Sequence, residues 1–558
     1  MTRLYAMGRG IVLPQNMNMT RDKVKNVVLI MSGGVGQRFG SGVPKQYCMM
    51  GDRPIIEYAI DAARFCQSVD QVVVVTTEDY KEQVANKYGF PTTIGGSTRT
   101  ESLANGLEFV AKNYDCEKVI IANAVCPLMT EDQLDRYFKL LDEYDYVLTS
   151  WKVVSTLHRY DGQCVDRNEY FHVMEPEAYR FKILYKNYKS DYPVPYIFHQ
   201  LPKSANGYFC FDYPYTMKIT YSTDVKIAKM LYDDLILKPK QDKIRQGVIS
   251  WLSSFCKDGV SEWYAKIPEY MADLANKYQI TSWITNPKTF ATCVFEAESR
   301  LYGSVILKFH APSGRYDYEL AYYKLATNGR MATLIDYNDD YRALLIKKIV
   351  PGMAVKFDGN DPELKAFYMD VSNNLISVDS ISDDLKVKNI IEDFEINAST
   401  SDKYKFDSKK TLLDDAVRCV WNNYFADSPM FYLHRDLQRR NILRGVNGIY
   451  AIDALGIIGP KEFEFTLSFI IEARECPDRI NELHNEMLEY FSKYCDRKRL
   501  LAALFITWVH KMDEYVFSKN DDQKLARWCL GAITKIFYDG DNSLLESGKE
   551  PAVPEMLR

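Results

Sequence analysis

The sequence predicts an α/β chain in two parts: a doubly wound, mostly parallel sheet, followed by a bilobal α+β region. Three observations carry this. Short β-branched runs alternate with helically spaced segments through residues 25–237. A strand-rich stretch (292–356) then precedes a mainly helical one (410–540). The composition, 47% hydrophobic and 26% charged over 558 residues, is that of a globular chain long enough for several buried cores.

The elements follow in order. Val27-Val28-Leu29-Ile30-Met31 is a short apolar run that ends in glycines. Ile55 to Cys66 has helical spacing, and Val72-Val73-Val74-Val75 is the next strand. Val119-Ile120-Ile121-Ala122 is another, and a helical stretch from Glu131 to Asp142 leads into Tyr146-Val147-Leu148. Continuous apolar strands joined by helices fit a sheet covered on both faces. Near Leu237-Lys238-Pro239-Lys240 the chain turns polar, which marks a boundary. Residues 247–290 read as helical, with Trp251, Trp263 and Trp283 as apolar anchors. The expected organisation is an N-terminal extension (1–24), a first domain (25–237), a linker helix (238–259) and a second domain (260–558). The second domain would divide into lobes at about 260–350 and 351–558.

Charge and cysteine usage exclude several classes. A net charge of −5 gives no basic field for nucleic acid. No run of about 18 apolar residues would insert in a membrane, and the first 24 residues are polar and mixed, unlike a signal peptide. The 12 cysteines form no Cys-x-x-Cys, and the closest pair, Cys116 and Cys126, is ten apart. The expectation is reduced thiols in a cytoplasmic protein.

The first chemical constellation is Ser32-Gly33-Gly34-Val35-Gly36-Gln37-Arg38-Phe39-Gly40-Ser41-Gly42-Val43-Pro44-Lys45-Gln46, directly after the first strand. Gly33, Gly34 and Gly36 let backbone N–H groups approach a phosphate closely. Arg38 and Lys45 add positive charge where a triphosphate would sit. There is no Gly-Lys-Ser/Thr, and Phe39 stands where a third dinucleotide-loop glycine would be. Taken alone, the segment also reads as a solvated turn with two cations.

The longer string resembles the nucleotide loop of the 2-C-methyl-D-erythritol 4-phosphate cytidylyltransferase family and its relatives that use ribitol 5-phosphate. That loop reads G-x-G-x-R-x-G…P-K-Q, continued here by Tyr47, Gly51, Pro54 and Ile55. A second signature is Gly95-Gly96-Ser97-Thr98-Arg99-Thr100-Glu101-Ser102, running on to Leu107. A third is Asp166-Arg167-Asn168 with Pro176-Glu177-Ala178-Tyr179, and a fourth is Lys218-Ile219-Thr220…Thr223-Asp224. The resemblance implies that Gly95, Gly96 and Ser102 hold the cytosine of CTP. It implies that Arg167 reaches the acceptor phosphate from a partner subunit, hence a homodimer. Arg38, Lys45 and Lys218, with Mg²⁺, would neutralise charge while an acceptor phosphate oxygen attacks the α-phosphorus of CTP and pyrophosphate leaves.

The departures from the family pattern are specific. The family reads His-Asp-Ala-Ala/Val-Arg-Pro where this chain has Ala122-Asn123-Ala124-Val125-Cys126-Pro127. Asn123 replaces the metal-binding aspartate and offers Mg²⁺ only a weaker amide oxygen. Cys126 replaces an arginine, which points away from the ordinary isoprenoid acceptor. An acidic residue before the lysine is also missing, with Pro214, Tyr215, Thr216 and Met217 there.

The second constellation is His434-Arg435-Asp436-Leu437-Gln438-Arg439-Arg440-Asn441, then Ile449-Tyr450-Ala451-Ile452-Asp453. Phosphoryl transfer from ATP uses such groups: a carboxylate at the acceptor hydroxyl (Asp436), and an amide and carboxylate on Mg²⁺ (Asn441 and Asp453). The plain alternative is a polar turn capping its own backbone. Upstream, Ser304-Val305-Ile306-Leu307-Lys308 reads as a strand, and Tyr318-Glu319-Leu320-Ala321 begins a helix. Lys308 would meet the ATP phosphates and Glu319 would hold Lys308. Leu344 to Ile349 with Pro351-Gly352 would connect the lobes where adenine binds.

Residues 245–550 resemble the aminoglycoside phosphotransferase superfamily, closest to its streptomycin 6-kinase-like group. The resemblance is carried by Val260-Ser261-Glu262-Trp263, Leu307-Lys308, Pro351-Gly352, the His434 motif and Asp453-Ala454-Leu455-Gly456-Ile457-Ile458-Gly459. Arg435 makes the motif read like a protein kinase, but no G-x-G-x-x-G precedes Lys308, and Asp-Phe-Gly and Ala-Pro-Glu are missing. A small-molecule acceptor is therefore expected. Glu464 stands where many relatives carry Asp; Arg439 and Arg440 either face the acceptor or are surface cations. Together the halves suggest a bifunctional enzyme that phosphorylates a small alcohol with ATP and converts it to a CDP-alcohol with CTP, for a bacterial surface polymer. Ribitol is the first candidate and an amino alcohol such as choline the second. A kinase with a degenerate nucleotide-binding first half, and a non-enzymatic interaction protein, are the remaining readings.

Overall fold

The computed structural model describes residues 24–34, 39–40, 42–193, 196–213, 215–253, 259–287, 291–312, 315–326, 329–381, 388–390, 417–418, 420–475 and 480–515. The expected extension 1–24 lies outside these apart from Val24, as do residues 516–540 of the helical end. The chain divides into two compact units, Met1–Ile236 and Leu237–Arg558.

The first unit is an α/β layer structure. Its elements are β1 (Asn26–Met31), a small hairpin of β2 (Met49–Met50) and β3 (Arg53–Pro54), α1 (Ile55–Phe65), β4 (Gln71–Thr76), α2 (Glu78–Tyr88) and β5 (Thr92–Ile94). Then come α3 (Arg99–Asn113), β6 (Lys118–Asn123), α4 (Glu131–Leu140), β7 (Tyr146–Lys152), the arm hairpin β8 (Leu157–His158) and β9 (Cys164–Val165), and β10 (Phe171–Arg180). α5 (Phe181–Asn187), β11 (Gly207–Cys210) and α6 (Asp224–Tyr232) complete it. Among the described residues seven strands form one sheet, ordered β11-β7-β10-β6-β1-β4-β5. β1 runs parallel to both β4 and β6, whereas β10 is antiparallel to both its neighbours.

The chain leaves β1 toward β4 on one side and later returns to β6 on the other. β1 is thus the switch point, where open α/β sheets form a crevice beyond the carboxyl ends of the strands. Val27, Val28, Leu29 and Ile30 are wholly buried because alternate residues serve opposite faces. Val27, Leu29 and Met31 meet Val73, Val75, Val119 and Ile121, with Leu103, Leu107 and Val110 of α3 laid over them. Each such burial stabilises by about 1.5–3 kcal/mol, so a charge within β1 would break the sheet. α3 packs closely: a Cβ on Gly106 would stand 2.7 Å from Leu29 Cδ2.

The second unit begins with α7 (Lys238–Ser253) and α8 (Val260–Lys277), which cover β12 (Ile280–Thr285), β13 (Thr292–Ser299), β14 (Gly303–His310), β15 (Leu334–Asn338) and β16 (Ala343–Lys347). These strands form an antiparallel sheet ordered β12-β13-β14-β16-β15, with α9 (Arg315–Leu325) between β14 and β15. Beyond lie β17 (Pro351–Ala354), α10 (Pro362–Asn373), β18 (Ile376–Ser377), β19 (Lys388–Asn389), β20 (Phe431–Leu433), β21 (Ile442–Gly445), β22 (Gly448–Ala451) and β23 (Ile457–Gly459). α11 (Thr466–Glu475), α12 (Ile480–Phe491) and α13 (Arg497–Tyr515) follow. Phe367, Tyr432, Phe463, Phe465, Phe491 and Trp508 belong to one core that joins these helices to the short strands.

Two expectations are corrected. The helical reading of 247–290 fails after Tyr278: Gln279 takes a left-handed backbone (φ 51°), and β12 starts at Ile280. Trp283 lies exposed on that edge strand rather than in the core. And the mainly helical end carries the four strands β20 to β23 before its helices begin at Thr466.

Candidate functional site

In the first unit, β1 delivers the glycine segment to the switch point. Ser32 N–H donates to Val75 O (2.7 Å), keeping the segment on the sheet. The buried Gln46 amide donates to Ser32 O (2.7 Å) and Gly34 O (2.9 Å), stitching the start of the loop to its Pro-Lys-Gln end. Lys45 Nζ donates to Ile219 O (2.8 Å), which fixes it beside Lys218 in the chain. Gly36 and Arg38 lie outside the described residues.

Gly33 faces the N-terminus of α3. Thr98 caps that helix by accepting from Glu101 N–H (3.1 Å). Ser102 Oγ accepts from Gly96 N–H (3.0 Å) and donates to Thr98 O (2.8 Å). A Cβ on Gly95 would sit 2.7 Å from Ser102 Oγ, and one on Gly33 3.5 Å from the same atom. Gly33, Gly95, Gly96 and Ser102 are therefore brought together, and a side chain at 95 would have to displace the Ser102 hydroxyl.

A third cluster centres on Glu175, which the sequence reading missed. Glu175 Oε1 accepts from Arg99 Nη2 (2.7 Å), Asn123 Nδ2 (3.3 Å) and Lys218 Nζ (3.3 Å). Its Oε2 lies 3.8 Å from Cys126 Sγ. Two of the departures from the family pattern, Asn123 and Cys126, thus face the same carboxylate. The register of β10 against β7 shifts between Met174 and Glu177, which turns Glu175 to this side. The signal was a carboxylate directly before a proline inside a strand-like run. Burial pushes the Cys126 thiol well up, and pushes the neighbouring Glu177 carboxyl up to about 7. Arg167 is not brought to this group: it donates to Val154 O within the exposed β8–β9 arm.

The Glu175 carboxylate is spent on Arg99 and Lys218, and no set of three His, Cys, Asp or Glu among the described residues is arranged to hold an ion.

In the second unit, β14 carries Lys308 and α9 carries Glu319. Lys308 Nζ lies 2.8 and 2.7 Å from the two Glu319 oxygens and 2.6 Å from Asp453 Oδ1. Burial disfavours the charged amine, but Asp453 and then Glu319 hold Lys308 above the ordinary lysine value. Burial likewise opposes the Glu319 carboxylate, yet Lys308 and His310 draw it down to about 2. Asn441 Nδ2 donates to Asp436 Oδ2 (2.8 Å), and Ile452 N–H donates to Asn441 O (2.9 Å). The motif residues Lys308, Glu319, Asp436, Asn441 and Asp453 are therefore linked in two adjoining networks. Arg435 and Asp453 both hold left-handed backbone (φ 67° and 61°), strain that needs support from its surroundings.

That support comes from Glu464 and Arg435. Glu464 accepts from the His434 N–H (3.2 Å) and Arg435 N–H (2.9 Å), and burial pushes its carboxyl up to about 7. The Arg435 guanidinium donates to Thr466 Oγ1 (2.7 Å), Phe463 O (3.1 Å) and Thr507 Oγ1 (3.2 Å). His434 is buried, which brings it down to about 4 and keeps it neutral. Arg439 faces the buried Glu472 at 4.0 Å, so it serves the fold rather than an acceptor. A carboxylate and an amide oxygen, Asp453 and Asn441, suit Mg²⁺, which takes one or two protein oxygens and completes its shell with phosphate and water.

A mostly parallel sheet, a glycine segment at its switch point and cations around it define the first unit as a nucleotidyltransferase-type α/β unit. Residues 26–194 match the family model described as IspD, 2-C-methyl-D-erythritol 4-phosphate cytidylyltransferase. The enzyme of that name from Porphyromonas gingivalis (ATCC 33277) is 31% identical over 180 residues, 30% of this chain and 79% of its own. That of Thermotoga neapolitana is 25% identical over 220 residues, 37% of this chain and 96% of its own. A ribitol-5-phosphate cytidylyltransferase of Lacticaseibacillus paracasei is 25% identical over 222 residues, 38% of this chain and 94% of its own. Through its first unit the chain belongs to the IspD cytidylyltransferase family, and it is a cytidylyltransferase. No helix among the described residues is long and apolar enough to cross a membrane.

Proposed function

We propose that the chain is a bifunctional cytoplasmic enzyme: its second unit phosphorylates a small polyol with ATP, and its first unit converts that phosphate to a CDP-polyol with CTP. The observation that carries the reading is the Lys308–Glu319–Asp453 network beside the Asp436–Asn441 pair, on a chain whose other unit is a cytidylyltransferase. The strand order of the second unit supports it, since Lys308 stands on the central strand β14 with α9 directly after it.

In the first step Asp436 orients the acceptor hydroxyl and takes its proton, and Lys308 meets the ATP phosphates. Asn441 and Asp453 would hold Mg²⁺, which would neutralise phosphate charge when bound. In the second step an acceptor phosphate oxygen attacks the α-phosphorus of CTP. That nucleophile is already anionic, so no strong general base is needed; pyrophosphate leaves, and positioning with charge neutralisation by Arg38, Lys45 and Lys218, joined by Mg²⁺ when bound, carries the step. The backbone of Gly33, Gly34, Gly36, Gly95 and Gly96, with Ser102, holds CTP. Arg167 reaches the acceptor phosphate of a second subunit in a homodimer, and the exposed Val154 and Tyr160 of the same arm suit an interface. Ribitol is favoured over the ordinary isoprenoid acceptor by Cys126, and the product would feed a surface polymer.

The test is one incubation of the full chain with ATP, CTP and Mg²⁺ across polyols and amino alcohols, read by mass spectrometry. A CDP-alcohol that needs both nucleotides is expected. A CDP-alcohol formed only from ready-made phosphate would leave a cytidylyltransferase alone.

A further inference from the structure

We propose that His310 is a positioning residue of the second unit's site: from β14 it holds the Glu319 carboxylate and so sets Lys308 before the triphosphate. The inference rests on the reading of that unit as an ATP-dependent kinase. Lys308 and His310 are two apart on one strand, so both side chains point to the same face, where α9 lies. His310 Nε2 is 2.7 Å from Glu319 Oε2, the oxygen that Lys308 also meets at 2.7 Å. All three side chains are buried: Lys308 and Glu319 are 4% exposed and His310 1%.

The other ring nitrogen anchors the arrangement. His310 Nδ1 lies 3.3 Å from Arg342 O, and the His310 backbone N–H donates to that same carbonyl (3.0 Å). Arg342, with a left-handed backbone (φ 48°), closes the turn that presents this carbonyl by donating its N–H to Asp339 O (3.3 Å). Tyr316, on α9 one turn before Glu319, packs edge-on against the His310 ring at 5.6 Å and donates to Asp339 Oδ1 (2.7 Å). The chain of contacts therefore runs from the β15–β16 turn through His310 to Glu319 and on to Lys308. Lys308 is shared between Glu319 and Asp453. Without His310, Glu319 loses a donor and its anchor, and the ammonium is left to follow Asp453 away from the triphosphate.

The test uses the full chain with CTP in excess, so that the first unit is filled, and titrates MgATP by calorimetry. His310→Phe keeps the ring volume and removes both ring nitrogens; MgATP affinity should fall about 10- to 100-fold, the worth of a hydrogen bond to a charged group. His310→Gln returns one donor to Glu319 and should recover most of the loss. If His310 acts through Glu319, the losses from His310→Phe and Glu319→Gln in a double-mutant cycle are not additive. Wild-type affinity in His310→Phe, no recovery in His310→Gln, or additive losses each overturn the proposal. Should His310→Phe not fold, His310→Leu, which also lacks ring nitrogens, takes its place in the titration and the cycle. A wild-type chain without MgATP affinity overturns the kinase reading itself, and the inference with it.

Discussion

Gly95→Ala is a small change with a calculable effect on the CTP half. The new Cβ would stand 2.7 Å from Ser102 Oγ and 3.2 Å from Ser102 Cβ, distances that force a shift. Rotating Ser102 away surrenders two hydrogen bonds, from Gly96 N–H (3.0 Å) and to Thr98 O (2.8 Å). At about 1 kcal/mol each, the loss is about 2 kcal/mol, or roughly 30-fold in affinity if the loop binds CTP as proposed. Ser102→Ala alone gives up the same two bonds and should cost about as much. In the double variant the nearest atoms are the residue-102 Cβ at 3.2 Å and Val75 Cγ1 at 3.6 Å, so the added methyl fits once the residue-102 methyl yields by a few tenths of an ångström. The double variant should therefore bind CTP no worse than Ser102→Ala. CTP titration by calorimetry measures all four proteins. Additive losses, or a Gly95→Ala chain with wild-type affinity, would refute the account of this loop.

Other predictions test the separation of the sites and their charges. Asp436→Ala should abolish ATP-dependent phosphorylation and leave CTP turnover intact, while Lys45→Ala should do the reverse at a cost of about 10²–10³ in rate. Product analysis with each nucleotide alone separates the two, and a folded variant that loses both activities defeats independent sites. Glu319 is held at about 2 against an ordinary 4.5. A carboxyl with a depressed folded value adds stability that is complete above about 4.5 and lost as pH falls from there through about 2. That displacement is on the order of 3 kcal/mol. Glu319→Gln should therefore lower the urea midpoint at pH 7 and lower it much less near pH 2.5; an equal loss at both pH values contradicts the ion pair.

The alternation of Val27–Met31, Val72–Val75 and Val119–Ala122 with helical spacing was enough to read the parallel core, because strands buried on both faces must be continuously apolar. The edge strand β12 was not readable that way: Ile280-Thr281-Ser282-Trp283 alternates, and Trp283 points outward instead of anchoring a helix. Motif residues were legible where chemistry fixes both residue type and spacing, as with Asp436, Asn441 and Asp453. Glu319 was legible only as a position on the next helix, and its partner His310 not at all, since nothing in a lone histidine two residues after a lysine says that α9 will lie over both. Glu175 escaped for a related reason: it acts from β10 on groups carried by β6, α3 and the segment after β11, and such a meeting exists only once the sheet order is known.

Glu175 changes what restoring the family's aspartate would do. Taken by itself, Asn123→Asp returns the acid that the resemblance assigns to the metal. In this chain the new carboxylate would lie about where Asn123 Nδ2 now donates to Glu175 at 3.3 Å. Two like charges at that separation repel by about 5 kcal/mol at an effective dielectric of 20, before Arg99 and Lys218 are counted. Those two cations already serve Glu175, and Cys126 stands where the family's arginine would offset the second acid. Asn123→Asp alone should therefore lower CTP turnover and destabilise the first unit. Adding Glu175→Gln removes the repulsion and leaves one acid near the same place, so the double variant should recover turnover relative to Asn123→Asp. Pyrophosphate release with ribitol 5-phosphate and CTP, together with melting temperatures, follows both effects. An Asn123→Asp chain as active and stable as the wild type would mean that Glu175 and position 123 do not share a site, and that Asn123 is a tolerated substitution rather than half of a relocated charge.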